Sequence, residues 1–91
     1  MREISYHKRA VKYLRRMPVD RKEQIKAALA QIAALEDPLA DPNVKPMGGE
    51  WESCQRLRIG SYRAIYRLVD LAGLPTLEVL QVSPRGDIYK G

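Results

Sequence analysis

Phenylalanine is absent from this 91-residue chain, and cysteine, tryptophan and histidine occur once each. A lone Cys54 cannot form an internal disulfide, so the chain does not depend on an oxidising compartment. One His and one Cys cannot build the usual zinc sites, and the carboxylates show no metal-ligand spacing. A Ser-His-Asp or Cys-His arrangement would have to use His7, which sits in a basic stretch far from Cys54. No glycine-rich phosphate loop of the GxGxxG or Walker kind is present. No apolar run approaches the ~20 residues of a membrane helix, and the start, MREISYHKRA, has no signal-peptide pattern. A cytoplasmic protein with no metal, no cofactor and no membrane partner is the expectation.

What is present is positive charge. Lys and Arg number 16 against 11 Asp and Glu, for a formal net charge of +5. Charge does not specify a fold, but a basic domain attracts polyanions, RNA among them. With 45% hydrophobic and 30% charged residues the composition is globular. The length allows one domain, residues 1–91, with a modest core.

Residues 2–6 (REISY) read as a short strand. From His7 to Met17 the apolar positions Ala10, Val11, Leu14 and Met17 recur at helical steps, and Pro18 ends the segment. Asp20 reads as the cap of a second helix, with Glu23 as its capping-box acid and a stripe of Ile25, Ala28, Leu29, Ile32 and Leu35. Residues 36–50 hold three Pro and two Gly, which predicts a long ordered loop without a regular element. The period then switches to two. Strands are predicted over 52–59 and 61–69 with a turn at Gly60–Ser61, then a turn over Asp70–Pro75 and a third strand, TLEVLQVS. The expected fold is α+β: an N-terminal strand and a two-helix hairpin packed on a twisted, mainly antiparallel sheet of about four strands.

Arginines concentrate on the predicted strands: Arg56, Arg58, Arg63 and Arg67, with Arg85 and Lys90 flanking Tyr89 further on. Arg56 and Arg58 alternate with Leu57 and Ile59, which puts both on one face. Guanidinium groups grip phosphate oxygens in a bidentate fork and keep their charge. RNA cleavage needs no metal in principle, because the 2′-OH beside each phosphate is a built-in nucleophile. A protein has to accept its proton, stabilise the phosphorane and protonate the leaving 5′-oxygen. Arg63, Arg85 and Tyr89 suffice chemically if neighbouring cations lower the tyrosine from its ordinary value near ~10. The same residues also suit an ordinary sheet surface. Trp51 reads as an anchor of the loop on the sheet, with base stacking as the alternative. Tyr62 and Tyr66 read as core, and His7 as a helix-start residue.

The segments R-L-R-x-G-x-Y-R-x-x-Y at Arg56–Tyr66 and V-x-x-R-x-x-x-Y at Val82–Tyr89 resemble the RelE/ParE toxin superfamily. The N-terminal strand and Ala-rich hairpin match that layout too, so the resemblance spans essentially the whole chain. It implies a toxin of a type II toxin–antitoxin pair that cuts mRNA on the 70S ribosome, giving a 2′,3′-cyclic phosphate and a 5′-OH. It implies catalytic roles for Arg63, Arg85 and Tyr89, and phosphate contacts for Arg56, Arg58 and Lys90. It also implies a RelB-like antitoxin, with operator DNA bound only through the toxin–antitoxin complex. Two departures stand out. Cys54 replaces a second lysine of some relatives, and Pro84 replaces a histidine, leaving proton transfer to Tyr89, the arginines, or Glu50 or Glu52. Two other readings fit the same layout, a ParE-like DNA gyrase poison and a non-catalytic or decayed RNA-binding relative.

Overall fold

In the computed structural model, which describes residues Met1–Pro84, the chain opens with strand β1 (Glu3–Tyr6). Helix α1 (Lys8–Arg15) follows, and His7 caps it by accepting the Arg9 N–H on its side chain at 3.2 Å. The imidazole thereby satisfies one of the amides that a helix start leaves without a partner. Ala10 and Leu14 are the buried positions of α1, at the predicted spacing.

Helix α2 (Val19–Ala33) buries Ile25, Leu29, Ile32 and Ala33. Asp20 is not its cap: Pro18 holds that position without a side-chain hydrogen bond, and Asp20 lies in the first turn. There its charge faces the positive end of the helix dipole, so the acid serves the terminus from inside the helix. The helix stops two residues short of Leu35, which is exposed and outside the core stripe.

Residues 36–50 depart from the expectation of a plain loop. They contain a 3-10 turn at Pro38–Ala40, strand β2 (Val44–Pro46) and the start of a second 3-10 turn, Gly49–Trp51. Three residues are too few to show a period of two, and a proline is tolerated at the end of an edge strand. Val44, at 4% exposure, ties this crossing to the core.

Strand β3 (Cys54–Ile59), β4 (Tyr62–Leu71) and β5 (Leu74–Pro84) form the antiparallel meander. Gly60, at φ +56, opens the first turn. The second is tighter than predicted: Ala72 and Gly73, both at positive φ, join β4 to β5 directly. Two left-handed residues give the turn whose twist matches a hairpin.

The sheet has five strands in the order β1-β5-β4-β3-β2, one more than predicted, the addition being β2. It is mixed, because β1 runs parallel to β5. Both helices cover one face, where Leu57, Ile59, Ala64, Tyr66, Leu77, Val79 and Val82 meet Ala10, Leu14, Ile25, Leu29 and Ile32 in one core. Tyr62 and Tyr66 lie on that side as expected, Tyr66 fully buried and Tyr62 packed against its margin.

Candidate nucleic-acid interface

Strand parity sends the alternate residues of β3 and β4 to the face opposite the helices. On β3 these are Cys54, Arg56 and Arg58; on β4 they include Arg63, Ile65 and Arg67. Register aligns them in rows. Arg58 stands opposite Arg63, and Arg63 opposite Ser83 of β5. In the next row Lys45 of β2 faces Arg56, which faces Ile65. Directly opposed residues project on the same side of a sheet, so four cations from three strands converge.

Between them lies a cleft of about 270 Å³ lined by Pro42, Asn43, Lys45, Arg56, Arg58 and Arg63. Arg63 forms part of its lining and is only 8% exposed. Burial holds that guanidinium in one place, so less side-chain freedom is lost when it binds an anion. Arg58 is exposed at the rim and is steered from β2: its backbone N–H donates to the Asn43 carbonyl at 2.9 Å, and its Nη2 donates to Asn43 Oδ1 at 3.4 Å. Asn43 is oriented in turn by donating its backbone N–H to Asp41 Oδ1 at 2.8 Å.

Arg67 belongs to the same face but not to the cleft. Its Nε donates to Glu78 Oε1, directly across on β5, in an ion pair. Cys54 is buried opposite Arg67, and burial pushes its thiol up, with the Arg67 charge offsetting part of the effect. A thiol held protonated is a poor nucleophile. Tyr66 is also excluded from proton transfer: burial raises its phenol well above the ordinary range, and its hydroxyl donates to Gln55 Oε1 at 2.6 Å. Glu50 and Glu52 are both exposed, and neither lines the basic cleft.

A second set of cations lies against the end of β5. Arg9 and Lys12 of α1 and Arg16, its C-cap, line a groove of about 420 Å³ with Gln81, Val82, Ser83 and Pro84.

Of the residues singled out from sequence, Arg56, Arg58 and Arg63 are brought together, and Arg67 is set apart by its ion pair. Arg85, Tyr89 and Lys90 lie outside the described residues. Lys45 and Asn43 were missed. Both sit in the stretch read as loop, and nothing in their spacing marks a strand. The only available signal is that a long crossing within a small basic domain is itself a place to look for function.

The fold and this cluster define a small basic α+β domain that covers one sheet face with helices and gathers cations on the other. Residues 4–89 match the family model described as ParE toxin of type II toxin-antitoxin system, parDE. The chain belongs to this family, within the RelE/ParE superfamily anticipated from its motifs, and is a toxin of the type II toxin–antitoxin class. Solved structures share the fold. The chain is similar to the toxin in the archaeal RelE–RelB complex from Pyrococcus horikoshii OT3 (23% identity, TM-score 0.72, 94% of this chain and 97% of that one). It is similar to the toxin of the intact E. coli RelBE toxin–antitoxin complex (26%, 0.69, 92% and 96%). It is also similar to the YoeB/ParE toxin from Agrobacterium tumefaciens (19%, 0.70, 91% and 98%). No curated protein sequence matches the chain.

Proposed function

We propose that the chain is an endoribonuclease that cuts mRNA on the 70S ribosome and so inhibits translation. The observation that carries this reading is the convergence of Lys45, Arg56, Arg58 and Arg63 on one cleft, with Arg63 nearly buried in its lining. Such a cluster suits a phosphodiester whose charge grows as the 2′-OH attacks. Arg63 binds the scissile phosphate and stabilises the phosphorane, with Arg56, Arg58 and Lys90 holding phosphate oxygens. Tyr89 accepts the 2′-OH proton, and Arg85 supports or protonates the leaving 5′-oxygen. The products are a 2′,3′-cyclic phosphate and a 5′-OH. Since the nucleophile belongs to the substrate, the reaction is metal-independent.

The likeness to toxins solved as RelE–RelB complexes supports a RelB-like antitoxin as partner. Operator DNA contacted through that complex, and the cytoplasm as the place of action, belong to the same proposal. The ParE name of the matching family supports a second reading, a DNA gyrase poison with the same fold. The basic cleft favours the nuclease.

The test is primer extension on an mRNA in a purified translation system, with wild type beside Arg63→Ala, Arg85→Ala and Tyr89→Phe. Wild type should cut within codons, and each Arg variant should cut at least ~100-fold more slowly, the usual cost of losing one charge-stabilising donor. Normally folded Arg variants cutting at the wild-type rate would place the chemistry elsewhere. Intact message together with stabilised gyrase–DNA cleavage complexes would establish the second reading instead.

A further inference from the structure

Trp51 is the chain's one tryptophan, and the basic cleft does not include it. It closes the 3-10 turn Gly49–Trp51, entered through Gly49 at φ +63 and followed by Ser53 at φ 76. The indole shares a small cleft of about 180 Å³ with His7, Arg9 and Leu80. Leu80 lies on β5, separated from β3 by β4. Trp51 and Leu80 therefore line one cleft although β4 lies between β3 and β5. Ile65 of β4 lies on the face opposite the helices. It is completely buried, yet it does not belong to the helix-side core.

The β-bulge shapes the far wall. Gln81 pairs with Ile65 and Val79 with Tyr66, which leaves Leu80 as the extra residue. A bulge re-aims the side chain it carries. On the α1 side, His7 Nδ1 accepts the Arg9 N–H, which leaves Nε2 as the ring's donor. Arg9 adds a cation at the margin.

The cleft thus offers a flat aromatic surface, a ring N–H donor and a guanidinium. An unpaired nucleobase with its adjoining phosphate presents the complementary set: a π-face, ring and carbonyl acceptors, and an anion. Distance suits this too. Gln81, beside Leu80, shares a row with Ile65 and Arg56, and two strand spacings of about 4.8 Å put the cleft roughly 10 Å from Arg56. A single strand held in the basic cleft can reach it with a neighbouring nucleotide.

We propose that Trp51, with His7 and Arg9, forms a stacking subsite for one unpaired RNA base flanking the phosphate held by Arg63. The subsite rests on the nuclease reading and specifies the substrate as single-stranded RNA splayed across the sheet. Stacking on an aromatic face is tolerant of base identity, so the subsite contributes affinity and positioning more than sequence choice.

The sole tryptophan is its own reporter. Wild-type protein is titrated with a short 2′-O-methyl RNA, which lacks the attacking hydroxyl, and two signals are read: anisotropy of an end-labelled strand, and tryptophan emission with the unlabelled strand. Emission should be quenched with the Kd that anisotropy gives. Trp51→Leu should weaken binding roughly tenfold, Trp51→Phe should recover part of the loss, and both should keep the wild-type circular dichroism. Placing an abasic nucleotide at the flanking position should weaken wild type but not Trp51→Leu. Tight binding with unchanged emission and full affinity in Trp51→Leu would overturn the subsite while leaving the nuclease reading intact. Failure to bind the strand, with message still cut on ribosomes, would also overturn it as a site of the protein itself. Neither binding nor cleavage would remove both proposals together.

Discussion

Replacing Arg58 and Arg67 one at a time distinguishes a cation that is available to a polyanion from one already neutralised within the fold. Both side chains are exposed and both project from the uncovered sheet face. Arg67 is ion-paired with Glu78, whereas Arg58 borders the cleft beside Lys45, Arg56 and Arg63. Each single-strand phosphate neutralised by a cation contributes about −0.7 to the slope of log K against log salt. One such contact is then worth an affinity factor of about 2.6 between about 50 and about 200 mM salt. Arg58→Ala should reduce that slope by about 0.7, and Arg67→Ala should leave it unchanged within error. The assay is anisotropy of a non-cleavable 2′-O-methyl strand across that salt range, with each variant's fold checked by circular dichroism. Equal slope changes in the two variants would refute the argument that Glu78 removes Arg67 from the binding surface.

Two predictions concern the scaffold. Leu29→Ala removes a side chain that is completely buried between α2 and the sheet, and should lower stability by about 2–5 kcal/mol in urea denaturation; a loss below about 1 kcal/mol would mean that the helix packs loosely there. Tyr66 predicts an alkaline limit. Burial holds its phenol above the ordinary 10.0, so the folded state keeps that proton more tightly than the unfolded chain. Its contribution is complete below about pH 10 and is lost as pH climbs through the folded value, so the melting temperature should fall with rising pH more steeply for wild type than for Tyr66→Phe. Parallel pH profiles for the two proteins would contradict this origin.

How much of this was legible beforehand depended on element length. Helix α1 and the long strands β3 to β5 carry enough residues for their periods to show, and strand parity put Arg56 and Arg58 on one face, where the structure has them, whereas Arg63 was singled out by the family resemblance. Strand β2, at three residues including a proline, has no readable period. Its absence from the reading concealed Lys45 and Asn43, although they complete the cleft. Asp20 misled because an acid near a helix start serves the dipole from the cap or from the first turn, and Pro18 took the cap. Parity assigns a face but says nothing of lateral neighbours. That Arg67 would meet Glu78 across β5 required the register, and the register includes a bulge that no residue pattern announced.

The parallel pairing of β1 with β5 has a consequence for how the protein comes into being. Glu3 waits for Thr76 and Tyr6 for Val79, partners more than seventy residues further along the chain. A contact this distant carries a large loop-closure cost and comes late in folding. During synthesis the helical hairpin emerges with most of the sheet it covers still to be made, and β1 stays unpaired until β5 follows it. A message broken before β5 would therefore yield neither β1's partner nor the outer neighbour of β4, and no stable sheet on which to assemble the cationic face. Completion of β5 thus acts as a checkpoint, since only a chain translated through Pro84 can close the sheet that carries its charge.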